Sequence, residues 1–176
     1  KIYKKMIQPQ ISKKPVSWVL KMPLLDKVVL NKIRETLMNA FGGEFSQIII
    51  GGAPLNAEVE AFLRRIKFPV TVGYGMTETA PLISFTPWTD FRSQSCGQVL
   101  KGFMDARIAN PDMDGVGEIQ VRGENVMAGY YKNEQATKES FTADGWLRTG
   151  DLGIIDKDGF IYIKGRCKTM LLGPSG

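Results

Sequence analysis

The chain has 176 residues, 43% hydrophobic and 23% charged, a composition of ordinary soluble globular proteins with room for one good core or two small ones. It contains no histidine, which excludes a Ser-His-Asp triad, a His-bound zinc and a His general base within it. Net charge is +5 but uneven: residues 1–34 hold nine Lys or Arg and one acid, Asp26, a net +8, and the remainder nets −3.

No apolar run approaches the ~18 residues a membrane span needs, and no apolar stretch follows the basic start as a signal peptide would require. Cys96 and Cys167 are far apart and form no metal-type pair, so they read as reduced thiols in a cytosolic protein. The basic leading segment could attract anionic lipid or nucleic acid, but it reads first as the solvated face of a helix beside a core. Only Tyr3 and Trp18 interleave with its charges, too few for base stacking, and no nucleic-acid partner is expected. Peripheral association with the inner membrane surface and self-association remain open. The chain does not open on Met and stops at Gly-Pro-Ser-Gly, as an excised piece would.

Pro9, Pro15 and Pro23 are expected to break any long helix in residues 1–27. From Val28, apolar Leu30, Ile33, Leu37, Met38 and Phe41 recur at helical spacing, and Gly42-Gly43 ends that helix. Ser46 to Ile50 reads as a short buried strand, followed by the turn Gly51-Gly52-Ala53-Pro54. Val59, Phe62, Leu63 and Ile66 mark the next helix, and Pro69 to Gly73 the next strand. Strand, helix and strand in so short a span form a βαβ unit and predict a parallel sheet, with ligands beyond the carboxyl ends of its strands. After about Ser95 the texture changes to short alternating runs. Met104 to Ala109 and Glu118 to Arg122 flank a turn at Asn110-Pro111-Asp112-Met113-Asp114-Gly115; Ile154-Ile155 and Phe160 to Ile163 flank Asp156-Lys157-Asp158-Gly159. A short helix is expected near Asn133 to Ser140. Residues 1–95 thus read as an α/β part, 96–165 as a β-rich subdomain, and 166–176 as an exit segment.

Three loops carry chemistry. In Gly73-Tyr74-Gly75-Met76-Thr77-Glu78-Thr79, glycines on both sides of Tyr74 let backbone approach a ligand, and Tyr74 offers a flat ring. Thr77 and Thr79 offer hydroxyls to phosphate oxygens. Glu78 offers one hard oxygen ligand for magnesium, which takes few protein carboxylates. Tight turns also hold Gly and Thr for backbone reasons alone. In Arg148-Thr149-Gly150-Asp151, the carboxylate can accept from both hydroxyls of a ribose, or simply cap a turn. Arg166 and Lys168 follow a strand; Arg166 suits phosphate or ribose oxygens, although basic pairs at strand ends are usually just solvated.

The order Gly-Gly-Ala-Pro, Gly-Tyr-Gly-Met-Thr-Glu-Thr, Gly-Glu-Ile-Gln-Val-Arg-Gly, Trp-Leu-Arg-Thr-Gly-Asp and Gly-Arg-Cys-Lys, spanning residues 28–176, resembles the adenylate-forming (AMP-binding) superfamily. The texture of Leu30 to Leu37, Gly51 to Phe62, Gly145 to Gly153 and Gly159 to Gly165 is similar to its long-chain fatty acid-CoA ligase branch. The resemblance implies an α/β fold: a fragment of that superfamily's large N-terminal domain, with a parallel βαβ layer followed by a β-rich, barrel-like subdomain. It implies ATP-dependent conversion of a fatty acid to an acyl-adenylate with release of pyrophosphate, then to acyl-CoA with release of AMP. ATP, Mg²⁺ and coenzyme A are the implied cofactors and substrates.

Carried onto these positions, Gly52, Ala53 and Pro54 border the adenine and acyl pocket, Gly73 lines the acyl pocket, and Tyr74 packs on adenine with Gly75 and Met76 beside it. Thr77 contacts the α-phosphate, Glu78 holds Mg²⁺, Asp151 grips the ribose, Arg166 contacts the nucleotide, and Lys168 is the hinge to a small C-terminal domain. A phosphate-binding loop is expected before residue 1 and a lysine-bearing domain after Gly176, and the piece alone is expected to fold without turning over. Two other readings compete: an amino-acid or aryl-acid adenylating domain, and a non-catalytic module that binds nucleic acid or lipid through its basic start.

Overall fold

In the computed structural model the described residues are 23–52 and 55–167. The chain divides into two compact units, one built from residues 1–48 and 56–70, the other from 49–55 and 71–176. The βαβ reading and the two hairpins hold, and the fold class is α/β as expected.

Among its described residues the first unit contains two helices. Helix α1, Pro23–Ala40, begins earlier than the periodicity suggests. Pro23 stands at its first position, where the missing N–H costs nothing and the fixed φ suits a helix. Leu30 and Leu37 are buried on its apolar face. Gly42 and Gly43, both at positive φ, end it; the Gly43 N–H returns to the Met38 carbonyl at 2.9 Å. Phe41, Phe45 and Phe68 then close an aromatic cluster with centroids 6.0 to 6.4 Å apart. Helix α2, Ala57–Arg65, is capped by Asn56, whose side-chain oxygen accepts from Glu58 N at 3.0 Å and Val59 N at 3.2 Å. Asn56→Ala is expected to cost about 1 kcal/mol of stability, read as a lower denaturant midpoint in urea unfolding.

Strands β1, Ile48–Ile50, and β2, Val70–Val72, form a two-stranded sheet. Its ladder is parallel: Ile48 N–H donates to the Pro69 carbonyl at 2.8 Å, and Gly73 N–H to the Ile50 carbonyl at 2.9 Å.

The second unit is mostly antiparallel. Strands β3, Tyr74–Gly75, β4, Leu82–Phe85, and β5, Gln98–Val99, form one sheet. Strands β6, Met104–Ala109, β7, Gly117–Gly123, β8, Leu147–Ile155, and β9, Ile161–Arg166, form another in chain order. Helix α3, Glu134–Ser140, capped by Asn133, precedes β8. Backbone bonds stitch the two sheets: Cys96 N–H to Ile161 O at 2.8 Å, Ile161 N–H to Gly97 O at 3.0 Å, and Val99 N–H to Gly159 O at 3.0 Å. The core between them is Tyr74, Ile83, Met104, Ile119, Val121, Leu147 and Ile161. The β-rich part therefore begins at Tyr74, and the expected boundary near residue 95 falls between β4 and β5, which pair with each other. Two of the three strands in this sheet, β3 and β5, have two residues each, too short to show alternation in the sequence. Among the described residues no helix is long and apolar enough to cross a membrane.

Candidate functional site

Strand β8 alternates. Leu147, Thr149 and Asp151 face inward while Arg148 is exposed, so a carboxylate at 151 lands on the core face. Thr149 supports it from below: its hydroxyl donates to the Ile119 carbonyl at 2.7 Å and accepts from Asp151 N–H at 3.1 Å. Asp151 is directly opposite Arg166 in the β8–β9 register. Arg166 Nε donates to Asp151 Oδ1 at 2.7 Å, and the Tyr74 hydroxyl donates to Asp151 Oδ2 at 2.8 Å. Three predicted site residues, drawn from β3, β8 and β9, thus meet at one carboxylate.

Tyr74 is buried and its ring belongs to the core. Burial pushes its phenol well above the ordinary value, and the neighbouring Asp151 charge adds to this, so the hydroxyl stays a donor. The hydrogen bond to Asp151 raises the Arg166 guanidinium in turn. Asp151 is itself almost covered, whereas the Arg166 side chain is largely exposed. The arrangement is a buried acceptor with one cation at its solvent side, suited to hydroxyl groups arriving from outside.

The second part of the site is the one-turn 3-10 helix Thr77–Thr79. Thr79 is buried, and its hydroxyl is engaged within the turn, 2.9 Å from the Met76 carbonyl oxygen and 3.0 Å from that of Pro81. That corrects the expectation that both threonine hydroxyls are offered outward: Thr79 holds the turn, and Thr77 is the exposed one. Glu78 is half-buried. Its Oε1 accepts from the Tyr130 hydroxyl at 2.7 Å, and its carbonyl accepts from Met127 N–H at 2.8 Å. The bond to Glu78 raises the Tyr130 phenol. Among the described residues no three acidic or cysteine side chains cluster as a metal site. Glu78 offers one carboxylate, and magnesium is an ion that takes few protein carboxylates and keeps its waters.

Gly73 is buried, and a Cβ there would meet Ile49 Cγ2 and Leu82 Cδ1, each at 3.2 Å. Gly75 lies against the Pro81 backbone, and Met76 packs on the core. Gly52 is exposed at φ +78. Ala53, Pro54 and Lys168, together with Pro9, Pro15 and most of the basic leading segment, lie outside the described residues. Tyr130 and Asn125 are the contributors that sequence reasoning missed; the Gly-Tyr-Tyr run at residues 129–131 was the available signal.

Against known proteins, the model of the AMP-binding enzyme family matches residues 9–131. The chain is 39% identical over 153 residues to the long-chain-fatty-acid–CoA ligase FadD15 of Mycobacterium bovis, covering 87% of this chain and 24% of that protein. It is 36% identical to the long-chain-fatty-acid–CoA ligase ACSBG1 of Rattus norvegicus, covering 87% and 21%. The chain thus spans about a quarter of the length of the curated relatives it matches. Its structure is similar to that of the O-succinylbenzoate coenzyme A synthetase MenE of Bacillus subtilis in complex with ATP and magnesium ion. The TM-score is 0.62 at 31% identity, covering 76% of this chain and 30% of that one.

Proposed function

Because this chain belongs to the AMP-binding enzyme family, we propose that it carries the adenosine and metal half of an active site that activates a long-chain fatty acid with ATP. The product is an acyl-adenylate, which coenzyme A then converts to acyl-CoA. The observation that carries the reading is the convergence of Tyr74 and Arg166 on Asp151, three residues from separate segments that share one acceptor.

Each residue has a defined task in this reading. Asp151 accepts the ribose hydroxyls, with Tyr74 and Arg166 holding its carboxylate in place. Tyr74 and the Gly52–Pro54 turn border adenine. Gly73, where any side chain would press on Ile49 and Leu82, keeps the acyl side open. Thr77 donates to the α-phosphate, where charge grows as the fatty acid carboxylate attacks. Fixed donors stabilise that charge with little reorganisation. Glu78 is the residue that would hold magnesium, and the ion, when bound, neutralises phosphate charge. Lys168 is the pivot between the adenylating and thioester-forming arrangements.

The test is isotope exchange between pyrophosphate and ATP in the full-length protein. A saturated long-chain fatty acid is expected to drive exchange, with amino acids and aryl acids leaving it at background. Exchange driven by an amino acid or aryl acid instead would replace the fatty acid reading with that of another adenylating domain.

A further inference from the structure

Residues 124–131, between β7 and α3, make more bonds to the Glu78 turn than a passing loop needs. The Asn125 amide spends one N–H on the turn, at the Thr79 carbonyl (2.7 Å), and the other on the strand that follows it, at the Leu82 carbonyl of β4 (2.9 Å). This orientation leaves Asn125 Oδ1 buried with no partner, so the amide's acceptor is sacrificed to hold the turn. Met127 N–H holds the Glu78 carbonyl at 2.8 Å, and the Tyr130 hydroxyl holds its carboxylate at 2.7 Å. Backbone and side chain of Glu78 are therefore gripped from one segment.

Tyr130 is anchored from its other end. Its N–H donates to Thr137 Oγ1 at 2.8 Å, and that hydroxyl lies 2.9 Å from the Asn133 carbonyl in the first turn of α3. Gly129 makes this possible: at φ +152, a Cβ there would fall 2.8 Å from Thr137 Cγ2. Tyr130 is 40% exposed, so burial alone does not fix its ring. The two hydrogen bonds define where its hydroxyl points, and that point is a Glu78 oxygen.

We propose that the 124–131 loop is a positioning device for Glu78, and that Tyr130 orients its carboxylate for a divalent cation carried by the nucleotide. The proposal rests on the reading of Glu78 as the metal-holding residue. Tyr130 is a positioning residue: it fixes one carboxylate oxygen, so that the other meets the ion without first losing rotamer freedom.

The experiment uses the full-length protein with Mn²⁺ as the probe, followed by electron paramagnetic resonance in the presence of a non-hydrolysable ATP analogue. Calorimetric affinity for the same analogue in chelator reports the intact fold. Tyr130→Phe is expected to weaken Mn²⁺ roughly three- to tenfold, the net worth of one ordinary hydrogen bond, with metal-free nucleotide affinity unchanged. Tyr131→Phe, an equal change at the neighbouring 87% exposed tyrosine, is expected to alter neither quantity. Glu78→Gln should weaken Mn²⁺ more strongly, and adding Tyr130→Phe to it should have no further effect. If Glu78→Gln weakens Mn²⁺ while Tyr130→Phe binds it as tightly as the native protein or tighter, the positioning role is wrong and the reading of Glu78 stands. If Glu78→Gln keeps native Mn²⁺ affinity, the reading of Glu78 fails and takes this proposal with it.

Discussion

Asp151→Ala is expected to weaken ATP binding by the full-length protein by about 1.5–3 kcal/mol, roughly ten- to a hundredfold, because the ribose loses a charged acceptor. The carboxylate does two jobs. It is aimed by Tyr74 at 2.8 Å and Arg166 at 2.7 Å, and it is almost covered, so water cannot cheaply replace it. The same substitution strips the buried Tyr74 hydroxyl of its acceptor, which adds about 1–3 kcal/mol of destabilisation. The binding effect is separable from that loss. Calorimetry with ATP and with its 2′,3′-dideoxy analogue should show a clear preference for ATP in the native protein. Asp151→Ala should bind the two alike. A variant that still prefers ATP, or binds it with native affinity, would show that the ribose hydroxyls go elsewhere.

The largest expected effect on stability is at Gly75. A Cβ at this position would sit 1.8 Å from the Pro81 carbonyl oxygen, 2.8 Å from its carbon and 2.9 Å from Leu82 Cα. All three are backbone atoms, so no side chain can swing away, and β3 or β4 must move bodily. Gly75→Ala is expected to cost about 3 kcal/mol or more, a large share of the few kcal/mol by which a domain is stable. The damage should reach the site, since Tyr74 precedes Gly75 and the Thr77–Thr79 turn follows it; residual nucleotide binding should fall with stability. Gly165→Ala is the control: its Cβ would meet nothing within 4 Å, so its unfolding curve should overlay the native one. Urea unfolding of both variants decides the matter. A Gly75→Ala midpoint equal to the native midpoint would mean that the strand pair absorbs the side chain.

Much of this protein was determined by its sequence alone. The turns Asn110–Gly115 and Asp156–Gly159 dictated two hairpins because Asp, Asn and Gly favour the tight backbone those positions need. Asn56 and Asn133 began helices, and Gly42-Gly43 ended one, through local hydrogen bonds that need no distant partner. The ordered motifs pointed to the family, and singled out Tyr74, Glu78, Asp151 and Arg166 for the site proposed here. Tertiary structure decided how those residues act on one another. Tyr74 meets Asp151 across 77 positions, and Tyr130 meets Glu78 across 52. Such contacts depend on how separate strands register and which face each turn presents, and neither is a property of a local window. For the same reason the sequence could not distinguish Thr77 from Thr79. Both are threonines in one short turn; only the approach of the Pro81 carbonyl makes the second a structural hydroxyl and leaves the first exposed.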